Sequence, residues 1–156
     1  MQLFLMRHGE AGFDAPSDRE RKLTDTGRYQ TRLMANWLSK HADQFELVIV
    51  SPYLRAQQTW QEVSKSLPEP GHFVTLDDVT PNADPSYGVD AIKAYAEQFG
   101  AEKVLVISHM PIVGFMVHEF DTSIEPPIFA TSAIAKIDSQ GEVANFEGMY
   151  TPQNVA

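Results

Sequence analysis

The chain contains no cysteine, which excludes disulfides, thiolate nucleophiles and cysteine-ligated metals. Positive charge is scarce too: 12 Lys and Arg stand against 21 Asp and Glu, a net charge of −9 at pH 7. Such a balance argues against nucleic acid or an anionic membrane as a partner. No apolar run approaches the roughly 20 residues that span a bilayer. The start also lacks a basic segment followed by a small-residue cleavage site, so the expectation is a soluble, cytoplasmic protein. Repeats, low-complexity tracts and linkers are missing, and 156 residues suit one domain with a proper core. With so few basic residues, any arginines gathered at one place are informative.

What is present alternates between short apolar runs and amphipathic stretches. Residues 3–6 (Leu-Phe-Leu-Met) form a run without polar alternation, as in a strand buried on both faces, and it stops on Arg7-His8-Gly9. A loop over 11–22 leads to Thr24, a candidate N-cap, and to a helix whose apolar stripe is Leu33, Met34, Trp37 and Leu38. Residues 47–50 are a second buried strand. Ser51 and Pro52 then read as N-cap and first residue of a helix with Ala56, Trp60, Val63 and Leu67 on one face. A third strand is expected at 73–76, and Ile92, Tyr95, Ala96 and Phe99 outline a helix closed by Gly100. Residues 104–107 form the clearest strand; it runs into Ser108-His109, and Pro111 starts the next helix. Residues 133–137 and 143–146 read as an antiparallel edge hairpin, and no structural signal follows Tyr150.

This alternation predicts an α/β three-layer sandwich: a largely parallel central sheet, helices on both faces and a C-terminal antiparallel edge hairpin. Parallel strands end at one edge, so Arg7-His8, the segment from Ser51 to Arg55, and Ser108-His109 should emerge together. Two arginines, two histidines and two helix N-termini at one place suit a doubly charged anion such as phosphate. The alternative is a basic surface cluster that no ligand uses. His41, His72 and His118 lie away from the strand ends and read as ordinary histidines; Trp37 and Trp60 read as core.

Taken together, Arg7-His8-Gly9, the segment Ser51-Pro52-Tyr53-Leu54-Arg55-Ala56-Gln57-Gln58-Thr59, and Ile107-Ser108-His109 resemble the histidine phosphatase superfamily, or phosphoglycerate-mutase-like fold. Asp18-x-x-Arg21-x-Leu23-Thr24-x-x-Gly27 and Thr131-Ser132-Ala133-Ile134-Ala135 are similar to the SixA-type phosphohistidine phosphatases in particular. The resemblance implies a single histidine-phosphatase domain over residues 1–156 without a capping subdomain. It implies that His8 is the nucleophile and that Arg7, Arg55 and His109 hold the phosphoryl oxygens with it. No metal-ligand spacing is present, and neither metal nor cofactor is expected. Two departures stand out. Larger family members carry an acid after the third strand, where this chain reads Leu76-Asp77-Asp78-Val79, leaving Asp78 as the nearest candidate. The asparagine that mutases carry after Arg-His-Gly is absent, with Phe13 and Asp14 in that stretch. Asp18 and Arg21 either line the mouth of the site or pair with each other.

The resulting expectation is a metal-independent phosphatase with a phosphohistidine intermediate. It would act, as a monomer, on a histidine-phosphorylated signalling protein such as a histidine phosphotransfer domain. Two alternatives are a broad phosphomonoesterase on small metabolites and a non-catalytic phosphoprotein-binding module. The intact His8 argues against the last, because binding alone needs no nucleophile.

Overall fold

In the computed structural model, which describes residues 1–155, the apolar runs become the strands of one sheet. The strands are β1 (Gln2–Arg7), β2 (Leu47–Val50), β3 (His72–Thr75), β4 (Lys103–Ser108), β5 (Ile134–Gln140) and β6 (Val143–Tyr150), in the spatial order β3-β2-β4-β1-β5-β6. The first four run parallel, and the final hairpin adds antiparallel strands, with β5 bonded to β1 and β6 outermost.

Helices α1 (Asp25–His41), α2 (Leu54–Ser64), α3 (Pro85–Phe99) and α4 (Ile112–Phe120) cover the sheet, and a short turn of helix, α5 (Pro152–Val155), follows β6. Alternate residues of β1 serve opposite layers. Phe4 and Met6 pack with Met34, Ala35 and Leu38 of α1 and with Ala56 and Val63 of α2. Leu3 and Leu5 pack with Ile92 of α3 and with Val113, Met116 and Val117 of α4. All of these side chains are buried, each contributing about 1.5–3 kcal/mol for a large apolar group. Among the described residues no helix is long and apolar enough to cross a membrane.

Local chemistry sets the helix ends. Thr24 caps α1 as expected, its Oγ1 accepting from the Gly27 amide at 3.0 Å. Gly100 closes α3 at φ 60°, a backbone state that favours glycine. Asp84 caps α3 through Ser86, so that helix begins earlier than its apolar stripe suggests. The expected start of α2 is corrected: the helix begins at Leu54, with Tyr53 in the N-cap position, rather than at Pro52. The Ser51 hydroxyl instead accepts from the Tyr53 amide at 3.2 Å and pairs with His109.

Candidate active site

The carboxyl ends of β1, β4 and β2 are neighbours, so the segments after them meet above the middle of the sheet. Arg7 is the last residue of β1 and Ser108 the last of β4; these two are register partners, and the His8 amide donates to the Ser108 carbonyl at 3.0 Å. His8 and His109 are thereby brought side by side, with ring centroids 5.0 Å apart. Arg55, in the first turn of α2, reaches them from the third strand end. Its Nε donates to His8 Nε2 at 3.2 Å. Arg7 belongs to the same pocket, with Nη1 on the Phe129 carbonyl at 2.8 Å.

The His8 ring has one tautomer consistent with its partners. A carbonyl only accepts, so Nδ1, 2.7 Å from the Gly9 carbonyl, carries the proton. A guanidinium only donates, so Nε2 presents its lone pair to Arg55. Burial and the charges of Arg55, Arg7 and Arg21 outweigh the Gly9 hydrogen bond and push the His8 pKa down to about 3. His109 is pushed down to about 2 by its burial, by His8 and by the same arginines. Both rings are therefore neutral at pH 7. His109 Nε2 lies 2.7 Å from Ser51 Oγ, and the Tyr53 ring meets its ring edge-on at 5.0 Å. Among the described residues, two buried side-chain polar atoms lack a hydrogen-bond partner, Arg7 Nε and His109 Nδ1. Both sit in this pocket. Such orphans are rare away from functional sites, because each costs about 1–3 kcal/mol.

The outer candidates separate. Asp18 lies on a 3-10 turn (Asp18–Glu20), between Arg21 and Arg55. Its Oδ1 pairs with Arg21 Nη1 at 3.1 Å and its Oδ2 with Arg55 Nη2 at 3.2 Å. Arg21 spreads over the Gly12 and Ala11 carbonyls and stacks on Phe13. Asp78 is exposed on another 3-10 turn (Asp77–Val79), and among the described residues no hydrogen bond or ion pair joins it to the pocket. The neighbouring Val79 carbonyl instead accepts from Ser108 Oγ at 2.7 Å. Glu10 accepts from Thr24 Oγ1 at 2.8 Å.

Several supporting residues escaped the sequence reading of roles. Thr59 accepts from the Gly9 amide at 3.0 Å and donates to the Arg55 carbonyl at 2.7 Å, joining the β1 turn to α2. Ser132, at a left-handed φ of 64°, donates its amide to the His8 carbonyl at 3.0 Å, and its hydroxyl pairs with Thr31. Gly9 is required by space rather than by φ. A Cβ there would lie 2.7 Å from Thr31 Oγ1 and 3.0 Å from the Gly27 carbonyl. Thr59 and Ser132 fall inside recognisable motifs, so a signal existed, but only the folded geometry shows what each one touches.

Fold and pocket together define a class: three-layer α/β proteins with a basic, histidine-bearing pocket at the carboxyl ends of the strands. The comparisons narrow it. Residues 3–77 match the family model of the histidine phosphatase superfamily (branch 1). The chain is 43% identical to the phosphohistidine phosphatase SixA of Escherichia coli, over 99% of this chain and 96% of that one. It is 33% identical to the SixA homolog of Haemophilus influenzae, over 88% and 87% of the two chains. The solved structure of the protein histidine phosphatase SixA complexed with tungstate covers both chains fully, at a TM-score of 0.94 and 41% identity. The chain belongs to the histidine phosphatase superfamily.

Proposed function

We propose that the protein removes phosphate from phosphohistidine on a protein partner, through a phosphorylated His8. The observation that carries this reading is the state of the His8 ring: Nδ1 is held as a donor by Gly9, and the Nε2 lone pair faces Arg55. The relatives point the same way, one called a phosphohistidine phosphatase and one bound to tungstate, a tetrahedral oxyanion.

In the first step His8 Nε2 attacks phosphorus and the phosphorus–nitrogen bond of the substrate breaks. The departing imidazole, protonated on its remote nitrogen, leaves as a neutral ring. His8 keeps its Nδ1 proton on the Gly9 carbonyl, so the phosphorylated ring carries a positive charge and is itself a good leaving group. Water then attacks phosphorus, the Nε2–phosphorus bond breaks, and its electron pair returns to Nε2. The released proton leaves with phosphate or solvent. Arg7 and Arg55 stabilise the charge on the equatorial oxygens, the main demand of phosphoryl transfer, and His109 adds an Nδ1–H donor in the tautomer whose Nε2 accepts from the Ser51 hydroxyl. Two fixed guanidinium groups supply this charge without a metal ion.

A leaving group that departs neutral needs no strong acid, which fits a pocket where Asp78 stands apart. The segments 76–84 and 121–133 are too short for a capping subdomain, so an imidazole borne on a protein surface can enter. The test is side-by-side turnover of a histidine-phosphorylated protein, p-nitrophenyl phosphate and 3-phosphoglycerate. The expected result is the highest kcat/KM for the phosphoprotein; equal or better turnover of 3-phosphoglycerate would replace this reading with a small-molecule phosphatase.

A further inference from the structure

Arg55 is almost fully buried, at 4% exposure, yet its guanidinium is held by an exposed residue. A guanidinium offers two forks of parallel donors: a terminal one from Nη1 and Nη2, and a lateral one from Nε and the second Nη2 proton. Asp18 occupies the terminal fork with two different acceptors. Its backbone carbonyl takes Nη1 at 2.6 Å and its Oδ2 takes Nη2 at 3.2 Å. The lateral fork is left on the His8 side, with Nε 3.2 Å from His8 Nε2.

Asp18 is itself held. Its other oxygen, Oδ1, accepts from Arg21 Nη1 at 3.1 Å. Arg21 is anchored by Nε on the Gly12 carbonyl at 2.9 Å, by Nη2 on the Ala11 carbonyl at 3.2 Å, and by the Phe13 ring 4.0 Å from its guanidinium carbon. The loop that carries them is tied to the site at its ends. Gly12 donates to the Lys22 carbonyl at 2.9 Å, and the Leu23 amide donates to Gln58 Oε1 on α2 at 2.9 Å. A side chain 59% exposed gains little stability from ion pairs, so the arrangement is better explained by what it does to Arg55.

We propose that Asp18, buttressed by Arg21, is a positioning residue that fixes the terminal fork of Arg55 and so turns its lateral fork to the phosphoryl group attacked by His8. The inference rests on the assignment of Arg55 to the phosphoryl group under the proposed function. It also carries a second consequence of opposite sign. The Asp18 carboxylate repels an incoming phosphate dianion, so its removal should weaken turnover without weakening anion binding.

A double-mutant cycle tests this, with turnover of p-nitrophenyl phosphate and competitive inhibition by inorganic phosphate as readouts. Asp18→Ala should lower kcat by roughly 10–100-fold, the scale of a misplaced catalytic group. The inhibition constant for phosphate should stay the same or fall. Asp18→Asn, which keeps a neutral acceptor for Nη2, should recover part of the loss. In an Arg55→Ala background the Asp18→Ala loss should shrink to about twofold or less, as expected for residues acting as one unit. Equal losses in both backgrounds, faster turnover in Asp18→Ala, or weaker phosphate inhibition in that variant would each overturn the proposal. Full activity in Arg55→Ala alone is a different failure: it removes the assignment of Arg55 itself, and the role of Asp18 falls with it.

Discussion

The proposed role of His8 as nucleophile needs a free lone pair, and His8 keeps one because protonating it would bury a cation beside Arg55 and Arg7. The pH behaviour follows. With pKa values near 3 and 2, the Cε1–H resonances of His8 and His109 should stay flat between about pH 5.5 and 8, where a free imidazole titrates near 6.5. An NMR titration, assigned with His8→Asn and His109→Asn, reads this directly; a midpoint near 6.5 for either ring would sink the neutral-pair description. The chemical role of His8 is tested separately. Substrate followed by rapid quenching should trap a phosphoenzyme that is acid-labile and alkali-stable, and His8→Ala should remove the label. Label at full level in that variant would move the nucleophile elsewhere. Arg7→Ala and Arg55→Ala should each lower turnover by about 10²–10³-fold. Arg55→Lys should restore only part of it, since an ammonium cannot serve Asp18 and a phosphoryl oxygen as a two-forked guanidinium can.

At the scale of elements, the site depends on how closely the turn after β1 approaches α1. Gly9→Ala places a methyl group 2.7 Å from Thr31 Oγ1, and the neighbouring Gly27 carbonyl leaves little room to move. The expected cost is about 1–3 kcal/mol of stability, read from urea unfolding, with a loss of turnover because His8 precedes the displaced residue. Unchanged stability would show that the turn yields more freely than its contacts suggest. The same turn shows what the sequence could and could not disclose. Strands and helix stripes were legible because burial on both faces or on one face imposes a period, and their order alone brings His8, Arg55 and His109 to one edge. The start of α2 was misread because Ser51-Pro52 is a sound local cap, and only the distant His109 explains why the hydroxyl turns away. Asp18 likewise meets Arg55 across 37 positions of chain, a pairing that no local spacing encodes.

For the whole molecule, buried neutral histidines make acid the weak side of stability. Above pH 6.5 both rings are neutral whether the chain is folded or not, so they add no pH dependence. Below it the unfolded chain takes up protons that the folded site refuses, and stability falls as pH drops from about 6.5 toward 3. Two such groups set a limiting slope of about 2.7 kcal/mol per pH unit. Urea unfolding at a series of pH values should show a shallower decline in a His8→Asn/His109→Asn double variant; identical slopes would contradict the buried-neutral assignment. From the ordinary carboxylate range downward Glu62 adds to the loss. Burial raises its pKa, but Arg28, Lys65 and Arg32 outweigh that and hold it low, so its contribution disappears as it is protonated.

The position of β1 in the sheet also has a bearing on how the chain is made. It comes first in sequence but lies between β4 and β5, both of which come after residue 100. Until they exist, both edges of β1 are bare, and an apolar run with unpaired amides is a template for the wrong neighbour. The backbone around His8 also waits for this late segment, since Arg7 is bonded to the Ala133 and Phe129 carbonyls and the His8 carbonyl to Ser132. On a ribosome, a nascent chain that has not yet delivered residue 133 therefore holds the histidine of a phosphatase without the site. A chain cut short of residue 133 leaves the β5 edge of β1 bare and the backbone on either side of His8 without its partners.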